Sequence, residues 1–82
     1  MNEGKLKDRF GRRVRSLRRL RDITQADLAE RTGLSIEYIS KVERGLTSPS
    51  FASIASLADA LQVPVDSLFD FSELGKSTAP DD

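Results

Sequence analysis

The stretch Thr24-Gln-Ala-Asp-Leu-Ala-Glu-Arg-Thr-Gly-Leu-Ser-Ile-Glu-Tyr-Ile-Ser-Lys-Val-Glu-Arg44 decides the fold of this chain. It contains two short segments with apolar residues at helical spacing, separated by Gly33. Each segment has a start signal, because Thr24, with Asp27 three positions later, and Ser35 can cap helices through their hydroxyls. Two helices of about two turns each must cross and rest on a third element to bury their apolar sides. The pattern therefore predicts a helix-turn-helix.

The flanking sequence predicts the supporting helices. A first helix is expected over 6–22, the motif helices near 25–32 and 36–44, a fourth helix over 51–61 after the cap Ser50, and a short fifth helix that begins at Pro64. No segment alternates as a strand would, so the predicted fold is all-α, a compact five-helix bundle with a helix-turn-helix. The side chains expected to face the core are Leu6, Phe10, Val14, Leu17, Ile39, Val42, Phe51, Ile54, Leu57, Ala58, Leu61, Val65, Leu68 and Phe69.

Length and composition limit the class of protein. The 82 residues suit one small domain over 6–71, with an N-terminal arm over 1–5 and a polar, flexible tail over 72–82. No apolar run is long enough to span a membrane and no signal peptide is present, so a cytoplasmic protein without a membrane partner is expected. The chain has no cysteine and no histidine, which argues against a zinc finger, a thiolate metal site or a histidine relay. No cofactor or metal is expected, and so short a chain leaves little room for the pocket of an enzyme.

The net charge of zero conceals a strong separation of charge along the chain. Residues 1–22 carry nine basic and three acidic side chains, a net charge of +6, whereas residues 23–82 carry four basic and ten acidic ones, a net charge of −6. Such segregation can orient a protein on a polyanion. The alternative is an arginine-rich helix face that is only solvated.

The residues of the motif resemble a known family. Gln25, Leu28-Ala29, Gly33, Ile39-Ser40, Val42-Glu43 and Gly45 stand where the Xre family, which includes the lambda-type phage repressors and Cro, has its characteristic residues. The resemblance runs from about Phe10 to Phe69. It implies a sequence-specific regulator that binds double-stranded DNA as a homodimer on an inverted-repeat operator, with the second motif helix in the major groove.

The resemblance also implies which side chains read bases. The aligned positions are Ser35, Ile36, Glu37 and Lys41. Lys41 can donate to guanine, Glu37 can accept from the cytosine amino group, and Ile36 can touch a thymine methyl. Two alternatives remain open: Glu37 can instead pair with Lys41 one turn later, and Ile36 can pack in the core.

A second set of residues is expected to contact phosphates. Gln25 opens the second helix, where free N–H groups and the helix dipole favour an anion, and in the family the matching glutamine links a phosphate to the recognition helix. Ser48 and Pro49 can instead serve only as turn residues. The predicted phosphate contacts are Arg15, Gln25, Tyr38, Ser40, Arg44, Thr47 and Ser48.

Arg18 and Glu43 are assigned to the fold rather than to DNA. In the phage repressors the matching positions form a partly buried ion pair that ties the first and third helices together. The resemblance implies the same structural pair here.

The C-terminal end of the domain is unusually apolar. More large apolar side chains lie there than one short helix can bury, with Asp66, Asp70 and Glu73 among them, so we expect a homodimer interface. In the alternative, Phe71 and Leu74 fold back over the first helix and complete the core of the monomer. The predicted interface comprises Val63, Val65, Phe69, Phe71 and Leu74.

A second class of function shares this fold. A protein-interaction or accessory module could use the same helices without binding an operator. The basic first helix and the intact Gln25 favour DNA binding, and a salt-dependent affinity for DNA would separate the two classes.

Overall fold

The computed structural model describes residues 1–72 and Leu74. In this part of the chain, four α-helices, α1 (Glu3–Leu20), α2 (Gln25–Thr32), α3 (Ile36–Glu43) and α4 (Phe51–Leu61), precede a 3₁₀ helix over Val65–Phe69, and no strand is present. The prediction of an all-α fold with a helix-turn-helix is confirmed. The fifth element, expected as a short helix that starts at Pro64, is a 3₁₀ helix for which Pro64 is the N-cap.

One core joins all five elements. Leu28, Ile39, Leu57 and Leu68 are fully buried, so α2, α3, α4 and the 3₁₀ helix each contribute a large side chain to the same interior. Helix α1 adds Phe10, Val14 and Leu17, and the remaining core residues are Ala29, Val42, Ala58 and Leu61. Apolar side chains at helical spacing therefore close a core around the two motif helices.

Helix α1 starts and ends earlier than expected. The side chain of Asn2 accepts a hydrogen bond from the Lys5 amide, so Asn2 caps a helix that begins at Glu3, and residues 3–5, expected in an arm, form its first turn. The helix ends at Leu20, and Asp22 has a left-handed φ of 59°. Leu6, expected in the core, is exposed because it lies one turn before Phe10, beyond the edge of the interior.

The ends of α4 and of the 3₁₀ helix correct three core predictions. Phe51 is 90% exposed: side chains on a helix lean toward its N-terminus, so a large residue at the first position projects past the core. Val65 and Phe69 remain 48% and 40% exposed. A 3₁₀ helix of five residues is too short to turn more than one large side chain inward, and Leu68 takes that place.

A close approach of α1 to the end of α3 was not predicted. A Cβ built on Gly11 would overlap the carbonyl oxygen of Val42 and lie 2.7 Å from that of Glu43. Only glycine permits the two backbones to come this close. Gly11 therefore sets the spacing between the first helix and the recognition helix.

Two arginines of the basic segment serve the fold. Arg13 Nε donates to the carbonyl of Ser67 at 2.8 Å, and Arg21 Nε donates to the carbonyl of Leu61 at 2.8 Å. Both bonds satisfy carbonyl groups at helix ends, where the dipole favours a cation. Part of the +6 charge of residues 1–22 is thus used to hold α4 and the 3₁₀ helix against α1.

Candidate nucleic-acid interface

Hydrogen bonds within a few residues cap α2 and α3, and Gly33 forms the turn between them. The hydroxyl of Thr24 accepts from the Asp27 amide, and the Asp27 carboxylate accepts from the Thr24 amide, both at 3.0 Å, which completes a capping box. The Thr24 amide, which donates to this carboxylate, lowers the pKa of Asp27 below its usual 3.8, and the Thr24 side chain adds to the effect. Gly33 ends α2 with a φ of 78°, and Ser35 caps α3 by accepting from the Tyr38 amide. Both start signals that the sequence indicated are thus used as caps.

The outward face of α3 carries the predicted base-reading residues. Ile39 and Val42 point into the core, which leaves Ser35, Glu37 and Lys41 exposed to solvent. Ile36 is 52% exposed, so it does not take the core position that was its alternative role. Lys41 Nζ lies 4.0 Å from Glu37 Oε2, so the alternative pairing across one helical turn is present in the free protein.

An open groove runs beside the start of α3. It has a volume of about 630 Å³ and lies between the C-terminal end of α1 and the N-terminus of α2. Its lining residues are Arg18, Arg19, Asp22, Ile23, Thr24, Gln25, Ala26 and Ile36. The N-terminus of α2 and a guanidinium at one groove are suited to a phosphate. Arg19 lines this groove but was not among the predicted phosphate contacts. The sequence could have pointed to it, because Arg19 lies one turn after Arg15 on the same face of α1.

Gln25 is held by the buried ion pair. Arg18 Nε donates to Glu43 Oε2 at 2.6 Å, and Gln25 Nε2 donates to Glu43 Oε1 at 3.0 Å. The side chains of Arg18 and Glu43 are only 11% and 2% exposed. A second Arg18 nitrogen donates to the carbonyl of Ile23 at 2.9 Å. One carboxylate on α3 thus connects α1 to the first residue of α2. The resemblance implied a link from Gln25 to the recognition helix, but not that the acid of the ion pair would provide it.

Four other predicted phosphate contacts, Ser40, Arg44, Thr47 and Ser48, lie toward the end of α3 and in the loop after it, and none of them lines this groove. Arg44 Nε donates to Ser40 Oγ at 3.2 Å, so these two side chains are adjacent on the helix surface. Ser48 Oγ donates to Glu3 Oε2 at 3.2 Å, which puts a carboxylate beside one predicted phosphate contact. Tyr38 and Thr47 are half-buried. Arg15 is half-buried on α1.

The predicted dimer residues divide between the core and the surface. Val63 packs against the core, and Phe71 and Leu74 are half-buried beside Arg9 and Arg12 of α1. The centroid of the Phe69 ring lies 5.1 Å from the ring centroid of Phe10 and 6.3 Å from that of Phe71. The contact of Phe71 and Leu74 with α1 is the arrangement that the monomer-core alternative describes, and Val65 and Phe69 are the exposed members of the set. Glu73 and residues 75–82, which include most of the expected tail, lie outside the described residues.

Neither a membrane-spanning helix nor a metal-binding group of side chains occurs among the described residues. None of their helices combines the length and the apolar character that a membrane span requires. They also contain no group of carboxylates that could hold a metal ion.

The relatives found by comparison with known proteins are regulators and repressors. The chain is 39% identical over 59 residues to the HTH-type transcriptional regulator YazB of Bacillus subtilis, which covers 72% of this chain and 86% of the relative. It is 34% identical over 58 residues to the immunity repressor of Bacillus phage phi105, covering 71% of this chain and 40% of the repressor. Its fold matches the restriction-modification controller protein C.AhdI of Aeromonas hydrophila with a TM-score of 0.75, at 39% identity over 76% of this chain and 94% of the controller.

The family assignment rests on a family model that matches more than half of the chain. A model of the helix-turn-helix family HTH_3 matches residues 14–68, which include α2, the turn, α3, α4 and most of the 3₁₀ helix. The chain therefore belongs to the helix-turn-helix family of transcriptional regulators that its Xre-like motif predicted.

Proposed function

We propose that this protein is a sequence-specific transcriptional regulator that binds double-stranded DNA in the cytoplasm as a homodimer on an inverted-repeat operator. The observation that carries the proposal is the geometry of α3. Its buried side holds the core, and its free side, with Ile36, Glu37 and Lys41, borders a groove that ends at the N-terminus of α2. A helix presented in this way fits the major groove while its neighbour contacts the backbone.

In this proposal the outward side chains of α3 read bases. Lys41 donates to guanine O6 and N7, and Glu37 accepts from the cytosine amino group once Lys41 leaves it. Ile36 contacts a thymine methyl, and Ser35 adds a hydroxyl at the start of the helix. The exposed pair between Lys41 and Glu37 stabilises the free protein little, so giving it up for DNA costs little.

Phosphate contacts on two sides of α3 supply most of the affinity. On one side, Arg15, Arg19 and Gln25 face the backbone from α1 and α2. On the other side are residues of α3 and of the loop that follows it, namely Tyr38, Ser40, Arg44, Thr47 and Ser48. Such contacts fix the register of the protein but carry no sequence information.

Two copies are needed for specificity. One recognition helix covers only a few base pairs, and two-fold symmetry doubles the site when the two α3 helices lie about 34 Å apart. In this arrangement the C-terminal end of the domain, with Val63, Val65, Phe69, Phe71 and Leu74, faces the partner copy. Of these residues, Val65 and Phe69 offer exposed apolar surface in the monomer.

Selection of bound sequences from random duplex DNA tests this function. We expect an inverted repeat whose half-sites are about 10 base pairs apart, and an affinity that falls steeply as salt rises. A selection that returned no sequence above background, together with an affinity for DNA that did not depend on salt, would favour the protein-interaction module instead. A single non-repeated site would leave DNA binding in place and contradict the homodimer.

A further inference from the structure

Phe51 is the most exposed large apolar side chain among the described residues. It is the first residue of α4, capped by Ser50, so its backbone is rigid while its ring projects from the surface. Burying a phenylalanine removes about 150–250 Å² from water, so a partner that covered this ring would gain considerably. Neither the core nor the DNA-binding face uses it.

Apolar hollows lie on both sides of this ring. One, of about 200 Å³, separates it from the start of α1, and the other, of about 320 Å³, extends toward the 3₁₀ helix. Both are many times larger than the ~30 Å³ of a water molecule. Ile54 and Phe69 line both hollows, with Leu6 and Phe10 in the first and Ala55 and Val65 in the second.

A projecting ring next to a hollow is self-complementary under a two-fold axis. The ring of one copy can enter the hollow of the other, and the second ring enters the first copy in the same way. Charge favours this arrangement too. Glu3 and Lys7 line the first hollow, and Asp66 is next in the chain to Val65, which lines the second. A contact that brings Lys7 of one copy toward Asp66 of the other therefore joins opposite charges.

The residues that follow Leu74 do not supply a large apolar side chain for these hollows. Residues 75–82, Gly-Lys-Ser-Thr-Ala-Pro-Asp-Asp, contain no large apolar side chain. Leu74, just before them, lies beside Arg9 and Arg12. A second copy, by contrast, brings an exposed ring of the required character.

We infer that Phe51 is the central anchor of the homodimer interface, and that it enters the second apolar hollow of the partner copy, which is lined by Ile54, Ala55, Val65 and Phe69. The inference rests on the proposed homodimer and names its contact surface. It moves the centre of that surface from the C-terminal residues toward the start of α4.

The test compares two glutamine variants of the full chain. Phe51→Gln removes the proposed anchor, and Leu20→Gln removes another highly exposed apolar side chain, 74% exposed against 90% for Phe51, at the end of α1 and outside both hollows. Sedimentation equilibrium measures the dimer dissociation constant of each, and circular dichroism checks that both are folded. We expect Phe51→Gln to raise the dissociation constant at least thirtyfold, as for a central anchor, and Leu20→Gln to change it less than threefold.

Each outcome bears on one claim. A Phe51→Gln protein that dimerised as well as the wild type would overturn the assignment of this surface and leave the DNA-binding function intact. Equal weakening by both variants would show that association is non-specific and would also overturn it. If Phe51→Gln lost its helical spectrum, Val65→Gln provides the same test from the far side of the second hollow. A wild-type chain that bound the selected operator only as a monomer would contradict the proposed homodimer itself.

Discussion

At the scale of single residues, the side chains proposed to contact DNA differ in how firmly the protein holds them. Lys41 is exposed and only 4.0 Å from an equally exposed Glu37, a pair that contributes little stability. Gln25 donates to a buried carboxylate that Arg18 also holds. Lys41 is therefore free to turn to a base, whereas Gln25 keeps one orientation toward the groove. Its amide still has a second hydrogen to donate to a phosphate, and its oxygen can accept from water.

This difference predicts a separation of specificity from affinity. Lys41→Ala should lose about 1–3 kcal/mol of binding free energy on the selected operator and relax the preference at one base pair. Gln25→Ala should weaken all sequences to a similar degree and flatten the dependence of affinity on salt. Gel-shift titrations on the operator and on a scrambled duplex measure both. If Lys41→Ala kept the affinity and the sequence preference of the wild type, α3 would not read bases as proposed.

Gly11 predicts a steric limit on stability. A methyl group there would overlap the Val42 carbonyl oxygen, so α1 and α3 must separate. We expect Gly11→Ala to lower the free energy of unfolding by about 1–3 kcal/mol or more. Gly4→Ala is the matched control: its Cβ meets only Asn2 Oδ1 at 3.6 Å, and alanine favours a helix by about 0.5–1 kcal/mol. Urea titrations compare the two, and equal stability would refute the close approach.

At the scale of elements, α1, α2 and α3 meet at one carboxylate. Glu43 accepts from Arg18 on α1 and from Gln25 on α2, and it is almost wholly buried. Such a pair is costly to break because the remaining charge has no partner. The orientation of the recognition helix against its supports therefore depends on this contact as well as on the apolar core.

Removal of the buried acid should destabilise the whole domain. We expect Glu43→Ala to cost about 3–5 kcal/mol of unfolding free energy, because Arg18 stays buried without its counter-charge. Glu37→Ala removes an acid from an exposed pair on the same helix and should change stability by less than about 1 kcal/mol. Thermal unfolding followed by circular dichroism provides the measurement. Comparable losses in the two variants would mean that the buried pair contributes no more than an exposed one.

The capping box of α2 predicts a dependence on pH. Hydrogen bonds from Thr24 lower the pKa of Asp27 below 3.8 in the folded protein, so the folded state favours the ionised carboxylate. Its contribution is present above the unfolded pKa and is lost as the pH falls through the folded pKa. The stability difference between wild type and Asp27→Asn should thus be largest near neutral pH and shrink as the pH falls below 3.8. A difference that stayed constant across this range would exclude the ionised cap.

At the scale of the whole molecule, charge and apolar surface lie on different sides. The exposed ring of Phe51 and its two hollows adjoin the 3₁₀ helix, whereas the groove with Arg19 and Gln25 opens at the far end of α1. Basic residues crowd α1, and acidic ones dominate the rest of the chain. A dimer that joins the apolar sides keeps both recognition helices available to one duplex, and the acidic surfaces stay away from phosphate.

A rigid dimer predicts a strict phase between half-sites. Insertion of about five base pairs between the two halves of the selected operator rotates one half-site by about half a turn of B-DNA. The two α3 helices then cannot enter both grooves at once, so the affinity should fall toward that of a single half-site. Insertion of a full turn, about ten base pairs, is the control for distance alone. Fluorescence anisotropy with the three duplexes measures the effect, and equal affinities would mean that the two copies bind independently.

What the sequence by itself determined is the local part of this protein. Caps at Thr24, Ser35 and Ser50, the left-handed Gly33 and Gly45, and the bounds of α2 and α4 follow from hydrogen bonds and dihedral preferences within a few residues. The inward stripe from Phe10 to Leu17 follows from helical spacing. Which side chains of α3 face outward, and the family to which the chain belongs, could likewise be predicted without coordinates.

Only the tertiary structure decided how the elements end against one another. Periodicity assigned Leu6 and Phe51 to the core, but a helical stripe does not show where the neighbouring helix stops, and both side chains lie beyond that edge. The contact of Gln25 with Glu43 and the backbone overlap that Gly11 avoids join residues far apart in the chain. Local rules hold no information on such distances, because they arise only when helices pack. The stretch from Thr24 to Arg44 therefore defines the motif, and packing decides which surfaces remain for DNA and for a second copy.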